Sequence, residues 1–304
     1  MSSDLTPSDS LDELRQAMEH VGGAVEATLG QLLPSPNGLE ARLYEAMRYA
    51  VLGGGKRFRP FLVVASADLF DLPSENTMRV AVAAELVHSY SLVHDDLPCM
   101  DNADFRRGRP SVHRQFGEAT AVLAGDALLS LAFEVLAAAS YSEAAVRVEL
   151  VRALAQAAGA AGMVGGQAID LAAVGGAFDI GTITRLQHLK TGVLIDFCCE
   201  AGAILGHADV PKRQALKAYS HDLGLAYQMI DDLLDAEGSA AATGKPTGRD
   251  AAQGKATLVD LLGVERARAQ AAMLAAQAAR HLEAFGAKAK LLKDLTSFVI
   301  SRRA

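Results

Sequence analysis

Two apolar stretches of this sequence each end in a pair of aspartates, and this repeated arrangement limits what the chain can fold into. Residues 86–94 (LVHSYSLVH) run into Asp95 and Asp96, and residues 223–230 (LGLAYQMI) run into Asp231 and Asp232. An apolar helix has to be buried, whereas crowded carboxylates repel one another unless a cation lies between them. The two stretches therefore predict facing helices that form an acidic mouth over an apolar shaft.

The composition favours helices throughout. Half of the 304 residues are hydrophobic, only 5% are aromatic, and there is no Trp. Ala and Leu dominate and alternating β-branched runs are rare, which predicts an all-α fold. We see no linker and no whole-chain repeat, so we expect a single domain over residues 1–304, a large helical bundle around a central apolar cavity. The net charge of −7 argues against a nucleic-acid partner.

The periodicity and the turn signals divide the chain into helices. A structureless connection as long as residues 237–257 is usually functional or disordered. The predicted helices are Leu11–Leu32, Leu39–Leu52, one opened by Pro60, Met78–Leu97, Ala119–Ala139, Glu143–Met163, Ile180–Leu205, Lys212–Ala236, Leu258–Phe285 and Lys288–Arg302.

Nothing in the sequence indicates a membrane or a secreted protein. The best candidate for a membrane span, Ala121–Ser140, is interrupted by Asp126 and Glu134, so we interpret it as a core helix. The N-terminus is polar without a signal-peptide core, and three cysteines at this spacing form neither a disulfide framework nor a zinc site. We therefore expect a cytoplasmic protein without a membrane span.

The spacing of the acidic motifs predicts metal binding. Asp231 and Asp235 of the DDxxD motif differ by about 40° on a helix and share a face. Asp101, the last residue of the first motif, would lie about 120° from Asp95 on a regular helix. Pro98 disfavours helix at the residue before it, so the chain can bulge and bring Asp101 back. Carboxylate oxygens favour a hard ion such as Mg²⁺, and the neighbouring arginines suit phosphate.

Three further segments carry a resemblance to a known family: residues 53–60 (GGGKRFRP), 165–171 (GGQAIDL) and 190–192 (KTG). Together with the two acidic motifs, they make the chain resemble the trans-isoprenyl diphosphate synthases. These are head-to-tail prenyltransferases of the farnesyl and geranylgeranyl diphosphate synthase type. The resemblance covers nearly the whole chain from Gly53 onward. It implies the isoprenoid synthase fold, a homodimer, and isopentenyl diphosphate and allylic diphosphates as substrates.

The resemblance also implies roles for individual residues. Three magnesium ions per active site would be held by the two motifs and would neutralise the departing diphosphate. Ala103 and Tyr227 depart from the family pattern, which more often has Asp and Phe. The implied metal ligands are Asp95, Asp96, Asp101, Asp231, Asp232 and Asp235. Isopentenyl diphosphate would be bound by Lys56, Arg59, His88 and Arg107, and the allylic diphosphate by Arg106. The side chains that would face the reacting groups are Lys190, Thr191 and Gln228; those that would close on diphosphate are Lys245 and Lys255; and those that would orient the lysine or metal-bound water are Gln167 and Asp170.

Product length depends on what blocks the growing chain along the helix before Asp95. Ser91 lies one turn below Asp95, whereas Tyr90 lies about 140° to the side, so helical geometry alone does not select Tyr90. By resemblance, bacterial farnesyl synthases pair an aromatic residue here with a Pro-containing insertion, as Tyr90 and Pro98 do. We therefore expect the fifteen-carbon product, farnesyl diphosphate. The alternatives are a geranylgeranyl diphosphate synthase, a class I terpene cyclase and a non-catalytic partner subunit.

Overall fold

The computed structural model describes residues 7–33, 38–138, 142–172, 179–237 and 257–302, and helices account for most of these residues. Within these ranges, the only strands are β1 (Phe105–Arg106) and β2 (Arg109–Pro110), which form an antiparallel hairpin. The all-α prediction is confirmed. The helices are α1 (Pro7–Leu32), α2 (Ala41–Val51), α3 (Phe58–Asp68), α4 (Ser74–Asp95), α5 (Val112–Phe116), α6 (Glu118–Ala137), α7 (Ala144–Ala158), α8 (Met163–Ala172), α9 (Ile180–Gln187), α10 (Val193–Leu205), α11 (Val210–Glu237), α12 (Leu258–Leu262), α13 (Val264–His281) and α14 (Lys290–Ser301).

The chain divides into two compact units, each of which contains one acidic motif. The first unit lies within Met1–Ala17, Ala65–Leu72 and Arg152–Ala304, and the second within Met18–Val64 and Pro73–Val151. The prediction of a single domain around one central cavity stays a prediction.

In the second unit, α4 is buried on almost every side. Its contacts are mainly with α6 and also with α2. An apolar helix without a polar face has to lie inside a protein, and α4 meets this requirement with twelve buried residues. Gly125 of α6 allows the close contact, since a Cβ there would lie 2.0 Å from Nε2 of His94. This packing fixes the end of α4 at Asp95.

In the first unit, α11 is the central helix. It packs against α13, α10 and α14. The Tyr219 hydroxyl, which is fully buried, donates a hydrogen bond of 2.9 Å to the Leu292 carbonyl of α14. A buried phenol needs such a partner. The hydrogen bond ties α14 to α11, whose far end carries the DDxxD motif.

The observed boundaries differ from the predicted ones where the backbone leaves regular helix. A π-helical segment, His188–Gly192, joins α9 to α10 within the predicted helix Ile180–Leu205. Gly263, with φ of +80°, separates α12 from α13 in the predicted helix Leu258–Phe285. The predicted helix Glu143–Met163 is wrong beyond Ala158, because a turn follows there and α8 begins at Met163. Sequence periodicity does not detect these breaks, since the apolar spacing continues through them.

One described helix, α6, is long and apolar enough to cross a membrane by length and composition. Its most apolar window has a mean hydropathy of 1.7, and 39% of that window is buried within the protein. Core helices of soluble proteins meet the same criterion. The finding therefore leaves the prediction of a core helix in place.

Candidate active site

The loop after α4 folds back onto the end of the helix. The backbone N–H of Asp101 donates to the carbonyl of Asp95 at 2.9 Å, and that of Ala103 donates to the carbonyl of Asp96 at 3.1 Å. Asn102, with φ of 48°, adopts the left-handed conformation that such a reversal requires. The predicted bulge is confirmed, because the backbone of Asp101 returns to Asp95 in spite of the six-residue spacing.

The two aspartates of the first pair lie in different environments. Asp96 is only 2% exposed, and Arg106 binds it through Nε at 3.1 Å to Oδ2 and through Nη2 at 2.5 Å to Oδ1. Burial opposes the positive charge of Arg106, but the hydrogen bonds to Asp96 together with the negative charges of Asp96, Asp95 and Asp101 outweigh it and raise the pKa of the guanidinium. Asp95 and Asp101 are partly exposed. Arg106 therefore holds Asp96 within the protein, and the carboxylates of Asp95 and Asp101 are the more accessible pair.

The hairpin after this loop orients the adjacent arginines. Its two-residue turn is formed by Arg107 and Gly108, with φ of 52° and 73°. A type I′ hairpin turn requires positive φ at both of its central residues. Arg107 donates to the Gly54 carbonyl, and a Cβ on Gly55 would lie 2.8 Å from the guanidinium carbon. The glycines of the basic segment thus let the Arg107 side chain lie flat against the backbone.

His88 is surrounded by arginines. Nη1 of Arg59 lies 3.4 Å from Nε2 of His88. Burial, together with the charges of Arg59, Arg107, Arg106 and Arg57, holds the pKa of His88 well below its usual value. His88 is therefore neutral at physiological pH and can still donate or accept a hydrogen bond.

Two neighbours in the basic segment differ in burial. Lys56 is exposed, whereas Arg57 is 4% exposed and forms a 2.5 Å ion pair with Glu85 of α4. Nε of Arg59 is buried without a hydrogen-bond partner among the described residues. Arg57 therefore anchors the segment, and its neighbours Lys56 and Arg59 carry the side chains predicted to bind diphosphate.

The predicted product-length residues lie on different sides of α4. Tyr90 is 5% exposed, and its ring packs edge-on against His94 at 5.8 Å between centroids. Burial, together with the charge of Asp95, raises the pKa of Tyr90 to about 12. Ser91 is partly exposed and donates to the His88 carbonyl at 2.9 Å. The contacts place Tyr90 with His94, which packs on α6.

A small cavity lies beside α4 in the second unit. The hydroxyl of Ser89 borders it and is buried without a hydrogen-bond partner among the described residues. Tyr49 of α2 borders it too, with the Arg109 guanidinium 3.8 Å above its ring. The charged lining residues are Asp96, Arg106, Arg107 and Arg109.

The second motif repeats the environment of the first. Asp232 is 5% exposed and accepts two amide hydrogen bonds, from Gln187 at 2.7 Å and from Gln228 at 2.9 Å. Asp231 and Asp235 are partly exposed. In both motifs, therefore, donors from the protein hold the middle aspartate. Gln187 was not predicted, since it stands outside any motif.

The π-helical segment presents Lys190 beside Asp170. Nζ of Lys190 lies 2.8 Å from Oδ2 of Asp170, in agreement with the predicted contact. A Cβ on Gly166 would lie 2.3 Å from the backbone nitrogen of Lys190, so the GGQ segment packs directly on the backbone of the π-helical segment. π-helical turns are frequent at functional sites. Thr191 is partly exposed, and Nε2 of Gln167 is buried without a hydrogen-bond partner among the described residues.

Arg302 is a second residue that the sequence did not indicate. It follows α14, donates to Asp231, and lies with its guanidinium carbon 4.7 Å from the Tyr227 ring centroid. Burial opposes its charge, but Asp231 and Tyr227 outweigh this and raise the pKa of Arg302. No spacing rule connects residue 302 with residue 231, so only the tertiary structure brings them together.

The remaining predictions about the site concern metal and lid residues. Among the described residues, no three His, Cys, Asp or Glu side chains converge into a metal centre. A magnesium ion that also binds substrate phosphates takes only one or two protein carboxylates, so the predicted site does not require such a cluster. Lys245 and Lys255 lie outside the described residues.

Comparisons with known proteins agree with the fold. A family model described as polyprenyl synthetase matches residues 40–295. The chain is 43% identical to farnesyl diphosphate synthase of Escherichia coli over 265 residues. The matched region covers 85% of this chain and 88% of the relative. The crystal structure of an FPP/GFPP synthase from Zymomonas mobilis is 49% identical, with a TM-score of 0.88 over 96% of this chain and 100% of the other. Geranyltransferase of Helicobacter pylori, solved with magnesium and isoprenyl diphosphate, is 32% identical, with a TM-score of 0.83 over 98% and 97% of the two chains.

Proposed function

The chain belongs to the polyprenyl synthetase family of prenyltransferases, and we propose that it condenses isopentenyl diphosphate with allylic diphosphates to give farnesyl diphosphate, with release of diphosphate. The predicted family and the isoprenoid synthase fold are confirmed by the comparisons. The names of the relatives support the reaction, and the product length is the part that requires an experiment.

The observation that carries this proposal is the shared environment of the two motifs. In each motif the middle aspartate is buried and bound by protein donors, while the first and last are more exposed. A carboxylate that is already hydrogen-bonded stays in place and fixes its neighbours. The arrangement supports Asp95, Asp101, Asp231 and Asp235 as the principal ligands of Mg²⁺, a hard ion that prefers oxygen.

The magnesium ions, three per active site by family resemblance, would neutralise charge on the departing diphosphate. The protein's own cations supplement them. Lys190 is fixed by Asp170 on the π-helical segment, and Arg106 is fixed by Asp96. Preorganised positive charge stabilises an anionic leaving group most strongly where the charge develops. Both cations therefore favour ionisation of the allylic substrate.

The second substrate would bind at the basic segment. Arg59 and Arg107 lie around a neutral His88, and Lys56 is exposed beside them. A guanidinium fork matches diphosphate oxygens, while a neutral imidazole can donate without adding charge. This set supports the predicted isopentenyl diphosphate site.

The experiment is an incubation with dimethylallyl or geranyl diphosphate, labelled isopentenyl diphosphate and Mg²⁺, followed by sizing of the products. We expect fifteen-carbon farnesyl diphosphate. A twenty-carbon product would instead identify a geranylgeranyl diphosphate synthase. A cyclic product without consumption of label would indicate a terpene cyclase, and no consumption would indicate a non-catalytic subunit.

Matched variants separate the motif from its surroundings. Asp95→Ala should abolish turnover while leaving the helical signal in circular dichroism unchanged. Asp104→Ala is the control, because Asp104 belongs to the same loop but pairs with the exposed Arg114. Loss of turnover in both variants, or in neither, would contradict the assignment of Asp95.

We also propose that the protein is a cytoplasmic homodimer, as the family resemblance implies. Val122 and Leu123 on α6 are 40% and 56% exposed, and a second copy would cover them. Light scattering during gel filtration should give twice the mass of 31.9 kDa. A monomer at micromolar concentration would contradict this part of the proposal.

A further inference from the structure

Arg302 occupies a carboxylate that the proposed function assigns to a metal ion. Its Nη2 donates to Oδ1 of Asp231, and its side chain is 13% exposed against 36% for that of Asp231. Arginine remains charged at any physiological pH. One residue later in the sequence, Asp232 is already bound by the two amides of Gln187 and Gln228. The guanidinium is therefore directed to Asp231, the more exposed member of this pair.

The packing of α14 on α11 places Arg302 there. Tyr219 and Leu292 are joined near the start of the contact, and Asp231 and Arg302 are joined near its end. Asp231 follows Tyr219 by 12 residues and Arg302 follows Leu292 by 10, which at 1.5 Å per residue correspond to about 18 Å and about 15 Å. The two helices therefore run in the same direction and are joined at two points. Leu295 and Val299, both buried, fill the interval on α14.

The ring of Tyr227 packs against the guanidinium of Arg302. The Arg302 guanidinium carbon lies 4.7 Å from the ring centroid, within the range of a cation–π contact. Tyr227 precedes Asp231 by one helical turn, so the two groups share a face of α11. An arginine that is bound to a carboxylate and packed against an aromatic ring is held in one conformation rather than in many.

We propose that Arg302 occupies the carboxylate of Asp231 until metal binds, and that a divalent ion has to displace its guanidinium from this carboxylate. The proposal rests on the metal role of Asp231 in the proposed function. A carboxylate oxygen that accepts a charge-assisted hydrogen bond is less available to a cation, and two cations at one carboxylate repel each other. The arginine and the metal ion therefore compete for Asp231.

The test is the binding of Mn²⁺ without substrates, measured by the electron paramagnetic resonance signal of the free ion. Mn²⁺ accepts the same oxygen ligands as Mg²⁺. We expect Arg302→Gln to bind Mn²⁺ at the second motif about tenfold more tightly than the unaltered protein, a change equivalent to about 1.4 kcal/mol. Arg302→Lys should give an intermediate affinity, because it keeps the charge but loses the planar guanidinium. Unchanged or weaker binding by Arg302→Gln would overturn the proposal.

Two controls separate competition from a structural effect. In an Asp231→Asn background, Arg302→Gln should no longer alter Mn²⁺ affinity, since the contested carboxylate is absent. Arg280→Gln removes the same charge from an exposed position in the last turn of α13 and should have no effect. An equal gain in affinity from Arg280→Gln, or a gain that persists in the Asp231→Asn background, would identify a general charge effect and overturn the competition.

The two proposals can fail separately. Turnover of isopentenyl diphosphate together with unchanged Mn²⁺ affinity in Arg302→Gln overturns only the role of Arg302. Absence of both turnover and Mn²⁺ binding overturns the proposed function, and with it the metal role of Asp231. Tighter binding in Arg302→Gln without turnover would support the role of Arg302 and contradict the reaction alone.

Discussion

The buried ion pair of Arg57 offers a sharp test of how the basic segment is anchored. Arg57 and Glu85 are each 2% exposed at the side chain, with 2.5 Å between Nη1 and Oε1. The same guanidinium also pairs with Glu26 through Nη2 at 3.0 Å, but the Glu26 side chain is 44% exposed. One arginine thus has a buried and an exposed carboxylate partner, and the chain supplies its own matched control.

The two carboxylates should differ strongly in their effect on stability. Glu85→Ala leaves a buried guanidinium without its buried counter-charge, which costs about 3–5 kcal/mol in the free energy of unfolding. Glu26→Ala removes a pair that water screens, which costs about 0.2–1 kcal/mol. The Val51 carbonyl, 2.6 Å from Nη2, remains in both variants and does not replace a charge.

Thermal unfolding followed by circular dichroism measures the difference. At about 2 °C per kcal/mol for a chain of this length, Glu85→Ala should lower the Tm by about 6–10 °C, and Glu26→Ala by about 2 °C or less. Glu85→Leu combined with Arg57→Met should be more stable than Glu85→Ala alone, because no unpaired charge is then buried. Equal Tm values for the two alanine variants would refute the argument from burial.

Four other substitutions test the site. Gly166→Ala places a Cβ 2.3 Å from the backbone nitrogen of Lys190. Because this backbone then has to shift and carry Lys190 with it, the substitution should reduce kcat by about tenfold or more and lower the Tm. His88 has a folded pKa below its unfolded value, so the folded protein binds fewer protons below about pH 6.5 and loses stability as the pH falls from there. His88→Gln should make that loss smaller, as Tm measured against pH will show. Tyr90→Ala should lengthen the product and Ser91→Phe should shorten it, as product sizing will show.

Each of these predictions has its own contradiction. Gly23→Ala is the control for Gly166→Ala, because nothing lies within 4 Å of a Cβ there, and it should stabilise helix α1 by up to about 1 kcal/mol. Normal kcat in Gly166→Ala would contradict the close packing against Lys190. The same Tm decline between pH 7 and pH 5.5 in His88→Gln would contradict a shifted histidine. Unchanged products in both Tyr90→Ala and Ser91→Phe would contradict the assignments of Tyr90 and Ser91.

The sequence determined the features that depend on local spacing. The helical class, the two aspartate motifs and the return of Asp101 to Asp95 across Pro98 follow from periodicity and from the restriction that proline places on its neighbour. The family was also recognisable from the sequence, because its motifs are short and continuous. The roles of individual residues in the motifs, apart from the observed contacts, remain predictions.

The tertiary structure alone decided which partner each charged group has. Asp96 and Asp232 belong to the same motifs as their neighbours Asp95 and Asp231, so the motif does not distinguish them. Only the fold places Arg106 on Asp96 and Gln187 on Asp232. Arg57 lies between two predicted substrate-binding residues and is instead buried against Glu85. Arg302 reaches Asp231 only because α14 packs along α11. A single sequence encodes the spacing within a helix, whereas the burial and the partner of a charge depend on which helix lies beside it.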